Sequence, residues 1–534
     1  MITKLLKSFF GTTNVIYNPR PASIYSDQSG RMTTQCLNLQ TDESATLTES
    51  DCIHEIYTER IHRFFFIYHP KWRTYLMPEL ISNNHFNLPN TPKTKSLSTV
   101  IANTIENDRQ IILFPNGFNS RNLAQFKQAF SITNIAHICD FRDTSWSTNK
   151  TEGAQLLVFD RLGVGLLSID DPQQFRNLKN HTQKNHVLRI VRPELQMQLA
   201  LSPYSESLPC DEWNASQVKI PPNQTPLTSS QRAVTNSKLL KGYEDNQKHS
   251  WAMQACGITQ LRWTGKGVKI AILDTGLDFN HMDWCSRQIT HRSFIDNSTH
   301  DFHGHGTQCA GLAAGFSTDP YVPRFSAAPM ADLHIAKVLN PDGSGPDSAI
   351  LAGIDWALGQ GCQLLSLSVG IQMSDAKPDP VYEHVARRCL KSGMLFMAAA
   401  GNDSQRPGLI RPVCRPASSP SVFAVGAVDR FLRLANFTNG SFLNTKAQID
   451  AVAPGVDVFT TSIGPKPYGR FSGTSMAAPL CAGLAALLVQ DDPDCLGGLL
   501  WQRLASLAKR LPLFSTDVGM GLVTLPSIRT RGMS

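Results

Sequence analysis

Three residues far apart in the chain stand in matching surroundings. Asp274 ends the apolar run of AILDTG, His305 lies in GHGTQCAG, and Ser475 lies in GTSMAAPLCAG. Each is a polar side chain at a glycine-bearing turn beside an apolar run. Taken singly they have ordinary explanations, since aspartates form turns and serines cap helices. Taken together they are the set that acyl transfer to an activated hydroxyl requires. A serine hydroxyl is a weak nucleophile until an imidazole removes its proton, and a carboxylate must then orient the imidazole and stabilise the imidazolium. A donor aimed at the developing oxyanion is the fourth need, and Asn402 in AAAGNDS carries a side-chain amide at the end of another apolar run. Asp301, His303 and His305 can also be drawn as a metal cluster. Structural zinc sites use four ligands in patterned pairs, and no partner pair appears. With His305 assigned to proton transfer, His303 becomes a loop residue.

The elements that would position these groups are legible. VKIAILDTG, LHIAKVL, CQLLSLSVG, MLFMAAAG and SVFAVGAVD are short, continuous apolar runs ending in Gly, Leu or Asp, with helical stretches such as SAILAGIDWALGQG between them. Continuous apolar strands alternating with helices predict a parallel sheet covered on both faces, whose chemistry gathers at the carboxyl ends of the strands. The small residues after His305 and Ser475 suit closely packed buried helices.

Upstream, residues 110–196 read as a smaller α+β unit. QIILFPNG is a strand, RNLAQFKQAF a helix, and NIAHICDF a second strand. AQLLVFDRLGVGLLSID reads as one long or bent strand, DPQQFRNLKN as a helix and HVLRIVRP as a closing strand. The order β-α-β-β-α-β is a ferredoxin-like split βαβ pattern. Residues 197–245, rich in Pro, Ser, Asn and Gln, read as an exposed linker open to proteolysis. Residues 1–109 have no assigned role, and 246–534 hold the α/β domain.

Bulk properties narrow the class. The 534 residues exceed one ordinary core, and 41% hydrophobic with 17% charged residues is a globular mix. A net charge of +7 with no Lys/Arg block gives no support to nucleic-acid binding. The longest apolar runs fall short of the roughly 20 residues that cross a bilayer, so no transmembrane segment is expected. The opening MITKLLKSFFGTTNVIY has an interrupted apolar stretch and no clear cleavage site, which favours a cytoplasmic location or leaderless export over classical secretion. The 12 cysteines are scattered without a CxxC pair, which predicts free thiols.

From about Trp251 to Val523 the chain resembles the subtilisin-like serine proteases (subtilases, peptidase family S8). AILDTGLD, GHGTQCAG and GTSMAAPLCAG are similar to the family's three signature blocks in the family's order, and AAAGND to its oxyanion block. The resemblance implies a three-layer α/β fold preceded by a propeptide-like ferredoxin-like domain. It also implies a serine endopeptidase working through an acyl-enzyme on Ser475 and processed from its own precursor. Asp274, His305 and Ser475 would form the catalytic triad, with Asn402 in the oxyanion hole. Ser344, Gly345 and Pro346 would line one side of the substrate cleft, and Ser368, Val369 and Gly370 the other. Cys414 would lie near the floor of the first specificity pocket, with Asp403 near its rim favouring a basic residue.

Catalysis implies no cofactor. Structural calcium is a habit of the family, and Asp283 matches a common ligand position. The partners implied are a peptide or protein substrate and the chain's own propeptide-like region in cis. The alternatives are a dedicated processing or macrocyclising peptidase, and a catalytically silent peptide-binding scaffold.

Overall fold

The computed structural model describes residues 53–57, 63–67, parts of 109–141, 154–168, 189–200 and most of 242–525. The helix expected over DPQQFRNLKN and residues 201–241 of the expected linker 197–245 lie outside the described residues, as does most of 1–108. In that first stretch, strands β1 (Ile53–Tyr57) and β2 (Arg63–Ile67) pair antiparallel.

The amino-proximal sheet joins β3 (Arg109–Leu113), β4 (Ile135–His137), β5 (Leu156–Phe159), β6 (Val164–Ser168) and β7 (Arg189–Pro193) in the order β4-β5-β6-β3-β7. Without β4 this is the ferredoxin-like order of four antiparallel strands. The segment expected as one bent strand is a tight hairpin, β5–β6. Its turn closes through the Leu162 and Gly163 amides on the Phe159 carbonyl, and Gly163 takes φ +62°, which glycine adopts without strain. The strand expected at NIAHICDF is β4, an added edge paired parallel to β5, followed by a 3₁₀ turn over Ile138–Phe141.

The larger domain is built on seven parallel strands: β9 (Lys269–Asp274), β10 (Thr290–Ser293), β11 (Asp332–Lys337), β13 (Leu364–Leu367), β15 (Leu395–Ala399), β16 (Phe423–Val428) and β17 (Ala451–Pro454). Their order is β10-β11-β9-β13-β15-β16-β17. Successive residues of β9 alternate between two cores. Ile270 and Ile272 pack with helices α1 (His305–Ala314) and α4 (Thr474–Asp491), while Ala271 and Leu273 pack with α2 (Asp347–Gly359) and α3 (Pro380–Lys391). That alternation is the period-2 pleat of a sheet buried on both faces, giving three layers.

The second core continues into the smaller domain. Ile111, Leu113, Leu157, Phe159 and Leu166 join residues of α2 and α3 in one apolar cluster, so one face of the ferredoxin-like sheet lies on these two helices. α4 is long and apolar enough to cross a membrane by composition, but 89% of that span is buried inside the protein. Its small residues permit close packing: a Cβ on Gly483 would sit 2.6 Å from the Ala313 carbonyl of α1. No disulfide joins the nine described cysteines.

Candidate active site

The sheet places the expected residues together. Asp274 is the last residue of β9, His305 the first of α1, Ser475 the second of α4, and Asn402 lies just past β15. His305 Nδ1 is 2.8 Å from Asp274 Oδ1 and 3.0 Å from Oδ2, and both residues are buried. The turn that delivers His305 uses Gly304 at φ +97°, a left-handed conformation open to glycine. Burial disfavours the imidazolium, but the Asp274 carboxylate, with Cys309 beside the ring, raises the His305 pKa well above the usual imidazole value.

A residue that sequence reasoning treated only as a rejected metal ligand organises this corner. Buried Asp301 accepts hydrogen bonds from the amides of His303, Gly304 and Thr307 and from the hydroxyls of Thr307 and Thr275. Thr275 in turn accepts from the Gly306 amide. His303 thus belongs to the loop, as expected. Cys309, one turn beyond His305, places its sulfur 3.4 Å from the Ser475 carbonyl and 3.7 Å from His305 Nδ1. Burial pushes its thiol up to about 11, so it remains protonated near neutrality.

The cleft edges are filled by the chain itself. Strand β8 (Gln196–Leu199), which crosses the boundary between the expected α+β unit and the expected linker, lies antiparallel between β12 (Ser344–Pro346) and β14 (Val369–Gly370). All six expected cleft residues therefore border one extended segment. Pro346, which offers no amide, pairs with Gln196 at the outer end. The Leu199 amide donates to the Gly343 carbonyl at 2.9 Å, and the Ala200 amide to the Ser368 carbonyl at 3.4 Å. Met197 and Leu199 are buried, each worth about 1.5–3 kcal/mol of apolar transfer.

Ala200 follows this strand and lies against Ser475 and Asn402. Its carbonyl oxygen accepts from Ser475 Oγ at 2.8 Å and from the Asn402 amide. Asn402 is oriented by its own oxygen, which accepts from the Thr474 amide and hydroxyl, each at 2.9 Å. His305 Nε2 is buried with no hydrogen-bond partner among the described residues. The signal for β8 was present in QMQLA as strict polar–apolar alternation, hidden by the Pro- and Ser-rich sequence that follows it.

Asp403 and Asp283 are each engaged by neighbouring side chains. Asp403 accepts a 3.0 Å hydrogen bond from Asn439, which engages the carboxylate expected to favour a basic residue. Asp283 is buried against donors: it accepts from the Tyr468 hydroxyl at 2.5 Å, and the His281 ring lies 3.6 Å away. Burial raises its pKa. Its second oxygen, Asp283 Oδ2, is buried with no hydrogen-bond partner among the described residues.

Residues 265–509 match the Subtilase family (Peptidase S8). The chain is 33% identical over 294 residues to Subtilisin E of Bacillus subtilis (strain 168), spanning 53% of this chain and 73% of that protein. It is 38% identical over 232 residues to an Intracellular serine protease of Paenibacillus polymyxa, spanning 42% and 68% respectively. Subtilisin DY of Bacillus licheniformis is 35% identical over 265 residues, 49% of this chain and 91% of that protein. A sheet of seven parallel strands, a buried Asp–His pair beside a serine at a helix start, and these matches place the chain in the subtilase family of serine proteases.

Proposed function

We propose that the chain is a serine endopeptidase that is held inactive by its own ferredoxin-like domain and cuts itself between Ala200 and Leu201. The observation that carries this reading is the Ala200 carbonyl, which shares Ser475 Oγ and the Asn402 amide while residues 196–199 are paired on both sides. Main-chain pairing of this kind holds an extended peptide in register and leaves side chains to set preference.

In the proposed step Ser475 Oγ attacks the Ala200 carbonyl carbon as His305 Nε2 takes the hydroxyl proton. Asp274 fixes the imidazole through Nδ1, and Asn402 donates to the oxyanion. Collapse expels the Leu201 amine, which receives the proton from His305, and water then frees the acyl-enzyme by the same route. Substrates in trans would follow the register of residues 196–200. A small residue, as Ala200 is, would stand at the cleaved bond. Leu, as at 199, would precede it.

A fluorophosphonate probe tests the reading with the chain in hand. After the amino-proximal domain has been removed, the probe is expected to modify one peptide, and that peptide carries Ser475. Labelling elsewhere, or none in a chain that hydrolyses peptides, would overturn the assignment.

A further inference from the structure

The smaller domain carries a second group of reactive side chains, far in sequence from the triad. His137 ends β4, Cys139 lies in the 3₁₀ turn that follows, and Asp160 opens the β5–β6 turn. Their ligand atoms all lie within 4.8 Å of one another. His137 Nδ1 is 2.7 Å from Asp160 Oδ1. The second oxygen, Asp160 Oδ2, is shut off from solvent and has no hydrogen-bond partner among the described residues. The parallel register pairs His137 with Val158, so Asp160, two residues farther along, is delivered to the imidazole by the sheet itself.

We propose that His137, Cys139 and Asp160 bind a divalent transition-metal ion of the zinc class. Imidazole, thiolate and carboxylate suit zinc or cobalt, whereas magnesium and calcium take oxygen donors. Three protein ligands leave a fourth position for water. Ligand separations of about 3.3–3.6 Å follow from tetrahedral bonds of roughly 2.0–2.3 Å. The cluster reaches that spacing by small side-chain shifts, with the Asp160–His137 contact widening as the metal enters between them. The thiol binds as thiolate and gives its proton to solvent, so affinity falls as pH falls.

The location gives the ion a consequence. Arg161, next to Asp160, meets Asp355 of α2 through its backbone amide at 2.8 Å and its guanidinium at 2.7 Å. Arg292 of β10 donates to the Phe141 carbonyl at the end of the 3₁₀ turn. A cleft at this seam is lined by Ile138, Cys139, Arg161, Arg292 and Asp355. An ion on His137, Cys139 and Asp160 therefore ties together two of the segments through which the smaller domain grips the larger one. Metal binding is expected to slow dissociation of the smaller domain.

Cobalt(II) is the probe. The reduced, chelator-treated full chain carrying Ser475→Ala is titrated with Co²⁺ and the thiolate-to-cobalt charge-transfer band in the near ultraviolet is followed. The expected band saturates at one equivalent, is displaced by Zn²⁺, and is lost in Cys139→Ser. Affinity is expected to fall by more than about tenfold in His137→Ala and Asp160→Asn, each a loss of one ligand. Cys309→Ser separates this site from the other grouping among the described residues, Asp274–His305–Cys309, and is expected to keep the band. Circular dichroism identifies a Cys139→Ser protein that has kept its fold. A band absent from the parent chain, retained in folded Cys139→Ser, or abolished only by Cys309→Ser would overturn the proposal. Because the readout is spectroscopic, it is independent of whether Ser475 cuts peptide bonds.

Discussion

Ser475→Ala is expected to lower kcat on a peptide substrate by about a millionfold, and Asp274→Asn by about ten-thousandfold. The two losses would not add, because serine, imidazole and carboxylate act as a unit. The pH profile separates the aspartate's role from simple damage. His305 serves as base only when neutral, and Asp274 holds its pKa well above the usual imidazole value against the opposing effect of burial. Wild-type kcat/KM is therefore expected to fall away on acidification with a midpoint above that of free imidazole, about 6.5. Asp274→Asn is expected to move the midpoint down while cutting the plateau. The linkage has a defined sign: the Asp274–His305 pair stabilises the fold below the unfolded imidazole's pKa and loses that contribution as pH rises through the raised one. A variant with the reduced plateau but an unmoved midpoint would contradict the electrostatic role given to Asp274.

Arg192→Met is expected to release the smaller domain. Arg192, from β7, is nearly buried and reaches Asp379 Oδ2 at 2.7 Å and the Asp347 carboxylate, both wholly buried at the starts of α3 and α2. These carboxylates push its pKa up although burial opposes the charge. Asp379 caps α3 through the Val381 amide and pairs with Arg415, and Asp347 accepts from the Tyr382 hydroxyl and the Leu195 amide. Removing the arginine leaves two buried carboxylates short of compensating charge, at a cost of about 3–5 kcal/mol. That corresponds to roughly two to three and a half orders of magnitude in the affinity of the cleaved domain. Activity after self-cleavage is expected to emerge without the lag of the wild type, and hydrogen exchange in β3 and β6 of the Ser475→Ala background would show that the domain still folds. Unchanged lag in a folded Arg192→Met protein would mean that Arg415 and Tyr382 satisfy the carboxylates unaided.

Asp274, His305 and Ser475 stood out because each sits where a core element meets a polar, glycine-bearing turn, Asp274 at the end of β9 and the other two at the starts of α1 and α4. Asn402 was readable for the same reason. The cleft edges Ser344–Pro346 and Ser368–Gly370 came only from likeness to a family, since two short edge segments have no pattern of their own. β8 was misread as linker because a strand that pairs with segments some 150 and 170 residues away has no local partner to announce it. The β5–β6 hairpin was read as one long or bent strand because both halves are apolar and buried, although Asp160, Arg161 and Gly163 interrupt them at the turn. Asp301 and Arg192 were invisible for a different reason: a polar side chain's role depends on which backbone amides and carboxylates tertiary structure brings to it.

The central claim is that residues 196–200 occupy the cleft as a substrate of the chain's own serine. Intact mass of the purified full-length wild type, followed over time beside Ser475→Ala, tests it directly. Scission between Ala200 and Leu201 in the wild type, with the Ser475→Ala chain remaining whole, is the predicted result. A wild-type chain that stays intact, or one cut first at a different bond while Ala200–Leu201 persists, would contradict it.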